Sequence, residues 1–479
     1  MLFNSFAFAI FLPIVFILYW ICPKKYQWII LLSASCYFYM SWNVKYILLI
    51  FTTTIVTYLC ALLIEKHRNK KKVLLTVSLL VCLGLLFFFK YFNFAVESIH
   101  SVLSLFSLPI HPFTLKVMLP VGISFYTFQT LSYVIDVYKG DIVAEKHFGI
   151  YATFVTFFPQ LVAGPIERTN HLLPEVKKTH YLNGDNVLDG LKIMLWGFFK
   201  KLVVADNLAI YVDTVYNDIS NKKGFALALA TVFFAFQIYC DFSGYSDIAR
   251  GTAKLLDIRL MQNFKSPYCA STIKEFWSRW HISLSTWFRD YVYIPLGGNR
   301  VSKPRHYFNL LVTFLVSGLW HGANWTFVVW GALHGIAQMM EDIFKIKAPK
   351  NRKIWWLLRV LLVFSIVCFA WVFFRAQTLS DALSVFKNMF VGIGNPLQYI
   401  NAAFETLEIS KLRIIFMIAV YFLPLIFYDF QGARYGKEFN EVLADKRPAL
   451  QWGFYFIIGL FTILFSQKGV AAEFVYFQF

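Results

Sequence analysis

The chain has 479 residues, of which 58% are hydrophobic, 19% aromatic and only 15% charged. Repeated apolar runs long enough to cross a bilayer exclude a water-soluble globular fold and predict a polytopic membrane protein. A net charge of +18 would suggest nucleic acid in a soluble chain; here basic loops retained on the cytoplasmic face account for much of it.

In chain order, the clearest predicted spans are 6–21, 46–64 and 73–89, each nearly free of charge and close to the roughly 20 residues that cross ~30 Å of hydrocarbon. Further candidates are 28–39, 117–137, 225–239, 307–319, 325–340, 354–374, 414–427 and 454–465. Roughly ten to twelve membrane helices are expected, with some segments re-entrant or interfacial, because irregular backbone cannot face lipid unsatisfied. No basic residue precedes the first run and no small-residue cleavage site follows it, so it is expected to be a retained span. Trp20 and Ile21 are too bulky to make Cys22 a lipoprotein site. The cluster EKHRNKKK (65–72) belongs in the cytoplasm. Counting back through three spans puts the N-terminus outside and Lys24 and Lys25 inside, and the same count puts KGDIVAEKH (139–147) in the cytoplasm.

No linker, low-complexity tract or internal repeat divides the chain. One integral domain over 1–479 is expected, with lipid-embedded helices over 1–145, a mixed polar and apolar core over 146–345, and C-terminal helices over 346–479. Seven cysteines are scattered singly, without a C-x-x-C pair or a Cys/His cluster, so neither a disulfide framework nor a metal site is predicted.

Four stretches interrupt the hydropathy, and intramembrane polar groups are expensive enough to be kept for use. FFPQLVAGPIERTNHLLP (157–174) is an apolar approach broken by Gly164-Pro165, which suits a helix end or re-entrant turn. QIYCDFSGYSDIARG (237–251) sets Asp241 and Asp247 at the end of a span. EFWSRWHISLSTWFRDYVYIPLGGNR (275–300) reads as one helix with Glu275 and Arg279 paired four apart. Trp277, Trp280 and Trp287 give it the belt chemistry of an interface, and Gly297-Gly298 end it. SGLWHGANW (317–325) puts His321 where apolar helices meet.

A neutral imidazole can take a proton from a hydroxyl and return it, as acyl transfer from a thioester to an alcohol requires. Burial beside Trp320 and Trp325 favours the neutral ring at His321, and Gly318, Gly322 and Ala323 allow close approach. A second Trp-His pair, Trp280-His281, would supply a positioning or oxyanion-stabilising partner. The competing reading is that each histidine is a packing or interhelical hydrogen-bonding residue, with His334 a weaker candidate still. Asp241 and Asp247 could bind a cation, cap helix ends or bond between helices, and Glu167 with Arg168 could form a local ion pair. Arg250, Arg279 and Arg289 could anchor at the interface or hold phosphate. No P-loop, nucleophile elbow or dinucleotide fingerprint occurs.

Together FFPQLVAGPIER (157–168), QIYCDFSGYSDIA (237–249), FWSRWHISLSTWFRDYVYIPLGGNR (276–300) and SGLWHGANW (317–325) resemble the membrane-bound O-acyltransferase superfamily. More narrowly they resemble its bacterial branch concerned with alginate O-acetylation, whose relatives act in peptidoglycan O-acetylation and teichoic acid D-alanylation. The resemblance runs through the whole chain in order. It implies an all-α, funnel-shaped bundle whose tunnel joins a cytoplasmic acyl donor to an acceptor on the other face. His321 stands at the position of the superfamily's main catalytic histidine, and His281 at its second polar position, usually asparagine or histidine. Trp320, Asn324, Asp241, Glu167, Arg168, Arg279 and Trp280 are the expected lining or supporting residues. No bound cofactor is implied; acetyl-CoA is the expected donor substrate. The expected partners are membrane lipid and an extracytoplasmic esterase-like (SGNH-type) acetyltransferase serving a polysaccharide, with no nucleic acid.

The chain's last six residues, FVYFQF (474–479), are similar to the aromatic tail of a small companion peptide in teichoic acid D-alanylation. That likeness makes Tyr476 a candidate acyl relay, since phenyl esters are good acyl donors; residue chemistry alone makes it an interfacial aromatic anchor. The alternatives left open are D-alanyl transfer from a carrier protein, long-chain lipid acylation, and a transporter that exports an acyl group or polymer precursor without chemistry.

Overall fold

A computed structural model describes residues 1–106, 113–161, 164–348, 353–467 and 474–475, and among these residues every regular element is a helix. The protein is an all-α, polytopic integral membrane protein. Six helices among the described residues are long and apolar enough to cross a membrane: Val44–Lys66, Arg68–Ser104, Phe225–Leu255, Lys353–Arg375, Lys411–Tyr435 and Pro448–Phe465. Sequence alone suggested roughly ten to twelve spans of ~20 residues. The difference lies in apolar helices such as Phe6–Ile21, which has 16 residues, and in Lys303–His321 and Trp325–Ile343, which interleave polar side chains.

The chain groups into two compact units: Met1–Leu191 with Ile248–Met261, and Lys192–Asp247 with Gln262–Phe479. In the first, Ser5 starts Phe6–Ile21 by accepting from the Phe8 N–H at 3.2 Å. Pro23 ends it by forcing Cys22 into extended backbone. Ile47–Lys66 buries Thr53, Thr54 and Thr57, whose hydroxyls return to carbonyls within the same helix. Thr57 also meets the Tyr151 hydroxyl at 2.8 Å. With their hydroxyls so satisfied, threonines can sit in an apolar helix. Leu48, Ile55, Leu59 and Leu63 of the same helix are exposed, as lipid-facing residues should be. Gly122 stands at φ +75°, and a Cβ there would lie 2.5 Å from the Leu161 carbonyl oxygen, so only glycine fits.

The second unit is built on close helix contacts. Lys303–His321 and Trp325–Ile343 form a hairpin in which Gly318 abuts the Phe327 carbonyl and Gly331 the Phe314 carbonyl. Any larger residue would push the backbones apart. Two sequence expectations are corrected here. The helix expected to end near Tyr239 runs on unbroken over Phe225–Leu255, because Asp241, Ser243 and Asp247 find cationic partners. The stretch over 275–300 is not one helix: it comprises Ile273–Arg279, a turn, Ile282–Phe288 and a π-helical segment, Arg289–Tyr293. Its tryptophans do not form a lipid belt; Trp277, Trp280 and Trp287 are all buried. Gly297 and Gly298, both at positive φ, end the segment as expected.

Candidate active site

His321 is the last residue of Lys303–His321, and Gly322 leaves the helix in extended backbone. The glycine contacts that close the hairpin set its ring 5.0 Å from Trp330 on the return helix, centroid to centroid, and 5.4 Å from Phe374. Trp320 lies 5.0 Å from it on the other side. The imidazole is 3% exposed, in an aromatic chamber. Asn324 does not line that chamber by any observed contact. Its Oδ1 caps Trp325–Ile343 by accepting from the Thr326 N–H at 3.0 Å, and its Nδ2 donates to the Gln377 carbonyl at 2.8 Å.

His281 occupies the break between two short helices with φ +43° and ψ +54°, a left-handed conformation that costs a non-glycine residue about 1–3 kcal/mol and recurs at functional sites. The surrounding segment holds it there. Asn263 accepts from the Ile282 N–H through its carbonyl at 3.0 Å and from the Ser283 N–H through its side chain at 3.2 Å. Lys265 donates to the Arg279 carbonyl at 2.9 Å. The result is a pair of imidazoles with centroids 6.2 Å apart, His281 also lying 5.9 Å from Trp320. Trp280 packs behind this pair against Phe276, Phe264 and Trp371. Arg279 forms the predicted pair with Glu275 at 2.7 Å. His334 accepts from Trp277 Nε1 at 3.3 Å and packs against its ring, which fits the packing reading.

Burial pushes the His281 imidazole down to about 3, so the folded chain keeps it neutral. An unfolded chain takes up a proton there below about pH 6.5. Between those values the unfolded state binds more protons, so stability rises with pH and is lost as pH falls below 6.5. Acidification from pH 7 to 5 should cost about 2 kcal/mol through this residue. Melting the detergent-solubilised protein at both pH values checks this: His281→Asn should lose less stability on acidification than the native chain by about that amount. Equal losses would contradict it.

Asp241 is 1% exposed, with Lys201 Nζ 2.7 Å from its Oδ1; the same ammonium lies 2.8 Å from Asp206 Oδ1. Burial pushes the Asp206 carboxyl up to about 6 even though Lys201 opposes the shift. The adjacent Lys200 reaches Asp247 at 2.7 Å and Ser243 at 2.8 Å. The other oxygen of Asp241 accepts from the Val475 N–H at 2.7 Å. Phe474 packs on Tyr245 at 4.7 Å and Phe242 at 5.7 Å, and Phe242 meets His281 edge-on at 4.6 Å. Tyr476 lies outside the described residues.

Glu167 and Arg168 belong to the first unit. Glu167 is fully buried; its Oε2 meets His171 Nδ1 at 2.6 Å and its Oε1 accepts from the Met261 N–H at 2.6 Å. Burial pushes its carboxyl up against the pull of these bonds, while the bond to Glu167 raises His171. Arg168 is the residue at which Thr169–Lys177 begins.

Sequence reasoning missed Lys200, Lys201 and Asp206, as well as Trp330 and Phe374 of the chamber. The available signal was a pair of lysines inside the apolar run GFFKKLVVAD (197–206).

Two buried imidazoles in an aromatic chamber of an all-helical membrane protein are groups able to carry the proton that acyl transfer moves. The profile of MBOAT, the membrane-bound O-acyltransferase family, matches residues 145–377, which contain both histidines and the Lys201 network. The chain belongs to this family and is an O-acyltransferase. It is 40% identical to "Probable alginate O-acetylase AlgI" of Azotobacter vinelandii over 430 residues, 88% of this chain and 85% of that one. It is 38% identical to the protein of the same name from Pseudomonas putida over 498 residues, 100% of each. To the peptidoglycan O-acetyltransferase of Helicobacter pylori it is 38% identical over 435 residues, 81% of this chain and 80% of that one.

Proposed function

We propose that this protein moves acetyl from cytoplasmic acetyl-CoA through the bilayer for O-acetylation of an extracytoplasmic polysaccharide, a separate esterase-like partner completing the transfer. The names of its relatives support acetyl as the group and a cell-envelope or exported polymer as the destination. The observation that carries the reading is the buried pair of imidazoles, 6.2 Å apart, inside the family-matched segment. On this reading the protein lies in the cytoplasmic membrane of a bacterium with its N-terminus outside, and the basic cytoplasmic face draws in the anionic donor.

His321 takes the proton of the attacking hydroxyl as that oxygen bonds to the acetyl carbonyl carbon; the carbon–sulfur bond breaks, and coenzyme A leaves as a thiol after taking a proton back. His281 orients the pair or stabilises the oxyanion. Tyr476 is the first acceptor: its phenol becomes an acetyl ester, and an incoming alcohol releases it in a second step of the same form. Because His321 is 3% exposed, donor and acceptor must part some of the aromatic wall to reach it.

Purified protein incubated with acetyl-labelled acetyl-CoA should release coenzyme A and carry label on the peptide containing Tyr476. Tyr476→Phe keeps the ring and removes only the hydroxyl; label on the protein should fall at least about a hundredfold. Absence of coenzyme A release from the native protein would refute the acetyltransferase reading and favour transport without chemistry. Full transfer by Tyr476→Phe would refute only the relay and leave the tail as an anchor.

A further inference from the structure

We infer that Asp241 is a positioning residue for the tail segment Phe474-Val475, holding it inside the second unit against Phe242, the ring that meets His281. Three independent contacts converge on these two residues. The Val475 N–H donates to Asp241 Oδ2 at 2.7 Å, a short bond to a charged acceptor where no water competes. Phe474 is fully buried and Val475 4% exposed. The Phe474 ring rests on Tyr245 and Phe242, one helical turn apart on the helix that carries Asp241, and Phe242 in turn meets His281. The tail is thus gripped through its backbone by a carboxylate and through its side chain by an aromatic cleft whose far wall is a candidate catalytic imidazole.

The charge count explains how a carboxylate can be spared for this task. Lys201 sits between Asp241 and Asp206 at 2.7 and 2.8 Å, two carboxylates to one ammonium. That leaves negative charge over, and a backbone N–H at Asp241 Oδ2 stabilises it. Lys201 approaches Oδ1 and Val475 approaches Oδ2, so the tail and the lysine do not compete for one oxygen. The same count makes the anchor separable from the fold: Asp241→Asn or Asp241→Ala leaves Lys201 and Asp206 as a one-to-one pair, so neither variant orphans the buried ammonium.

The placement has a consequence for the transfer chemistry, and there it rests on the acetyltransferase reading above. Phe474 buttresses the Phe242 ring that meets His281 edge-on, so the held tail fixes one wall beside that imidazole. Freeing the tail should lower the rate of transfer without altering how donor binds.

Hydrogen–deuterium exchange of the full-length protein in detergent reads the anchor without any turnover. The C-terminal peptide containing Phe474 and Val475 should be protected in the native protein. In Asp241→Ala it should exchange about tenfold faster or more, peptides elsewhere being unchanged. Asp241→Asn, which keeps an acceptor oxygen of the same shape, should stay within about threefold of native. In parallel, Asp241→Ala should lower kcat for acetyl transfer at least about tenfold with KM for donor unchanged, and Asp241→Asn should recover most of it. Fast exchange already in the native protein, equal exchange in native and Asp241→Ala, or a freed tail with undiminished kcat would each overturn the proposal. A native protein without transfer activity but with the exchange pattern described would refute the acetyltransferase reading and leave the anchor standing.

Discussion

His321→Ala should reduce acetyl transfer by about two to four orders of magnitude, the range that a positioned general base supplies. The ring has two roles to separate, because it also fills space between Trp320, Trp330 and Phe374. Truncating a buried ring leaves a cavity, and aromatic-to-alanine changes in a core cost about 3–5 kcal/mol, enough to depopulate the folded state of a marginal protein. His321→Gln provides the control: it keeps much of the volume and a polar tip but cannot accept and return a proton near neutral pH. Both variants should lose activity, while Gln should keep the native melting temperature within a few degrees. Transfer by a well-folded His321→Gln at more than about a tenth of the native rate would remove His321 from the chemistry. Loss of activity in Ala alone, with matching loss of folded protein, would reduce it to packing. The histidine pair also predicts an asymmetry. Asparagine at 281 can still donate and accept hydrogen bonds, so His281→Asn should cost less than any change at 321.

Where a structural feature depends on local chemistry, the sequence is a faithful guide. The helix Phe6–Ile21 has the bounds of the apolar run read from the sequence, though at 16 residues it is short for a span, because that run opens at a serine cap and closes before Pro23. Glu275 and Arg279 pair because they stand four apart on one helical turn. Where a feature depends on partners far along the chain, local reading fails. Nothing near His281 announces a helix break: the left-handed turn is imposed by Asn263 and Lys265, which grip the backbone on both sides of it. Asp241 and Asp247 look like helix-end residues because their neighbours are polar. Their helix continues because Lys201 and Lys200 supply the compensating charge, Lys200 from 47 positions upstream of Asp247. The two histidines were nameable from their motifs, but their 6.2 Å separation and the tail's hold on Asp241 exist only in three dimensions.

The same network predicts the largest stability effect. Replacing Lys201 with methionine removes one buried ammonium, 1% exposed, and leaves Asp206 and Asp241, 6% and 1% exposed, facing each other without the cation between them. Breaking a buried ion pair by deleting one partner costs about 3–5 kcal/mol, and here a single deletion orphans two carboxylates. Lys201→Met should therefore accumulate poorly and melt well below the native protein. Its pH dependence should also reverse the acid sensitivity assigned to His281. Without the lysine, burial and the facing carboxylate raise the Asp206 carboxyl in the folded state further above its unfolded range near 4, so the folded state binds more protons than the unfolded one. Stability then increases as pH falls, and lowering the pH from about 8 to about 5.5 should recover part of what the substitution removed. The triple variant Lys201→Met, Asp206→Asn, Asp241→Asn removes all three charges and should regain most of the stability, since a neutral hydrogen-bonded cluster does not carry the desolvation penalty of an unpaired ion. Melting curves of the four proteins (native, Lys201→Met, the Asp206/Asp241 double amide and the triple) form a cycle that isolates the charge pairing. If Lys201→Met melts at the native temperature, or if the triple variant is no more stable than the single one, the ammonium is not what holds these carboxylates inside the helix bundle.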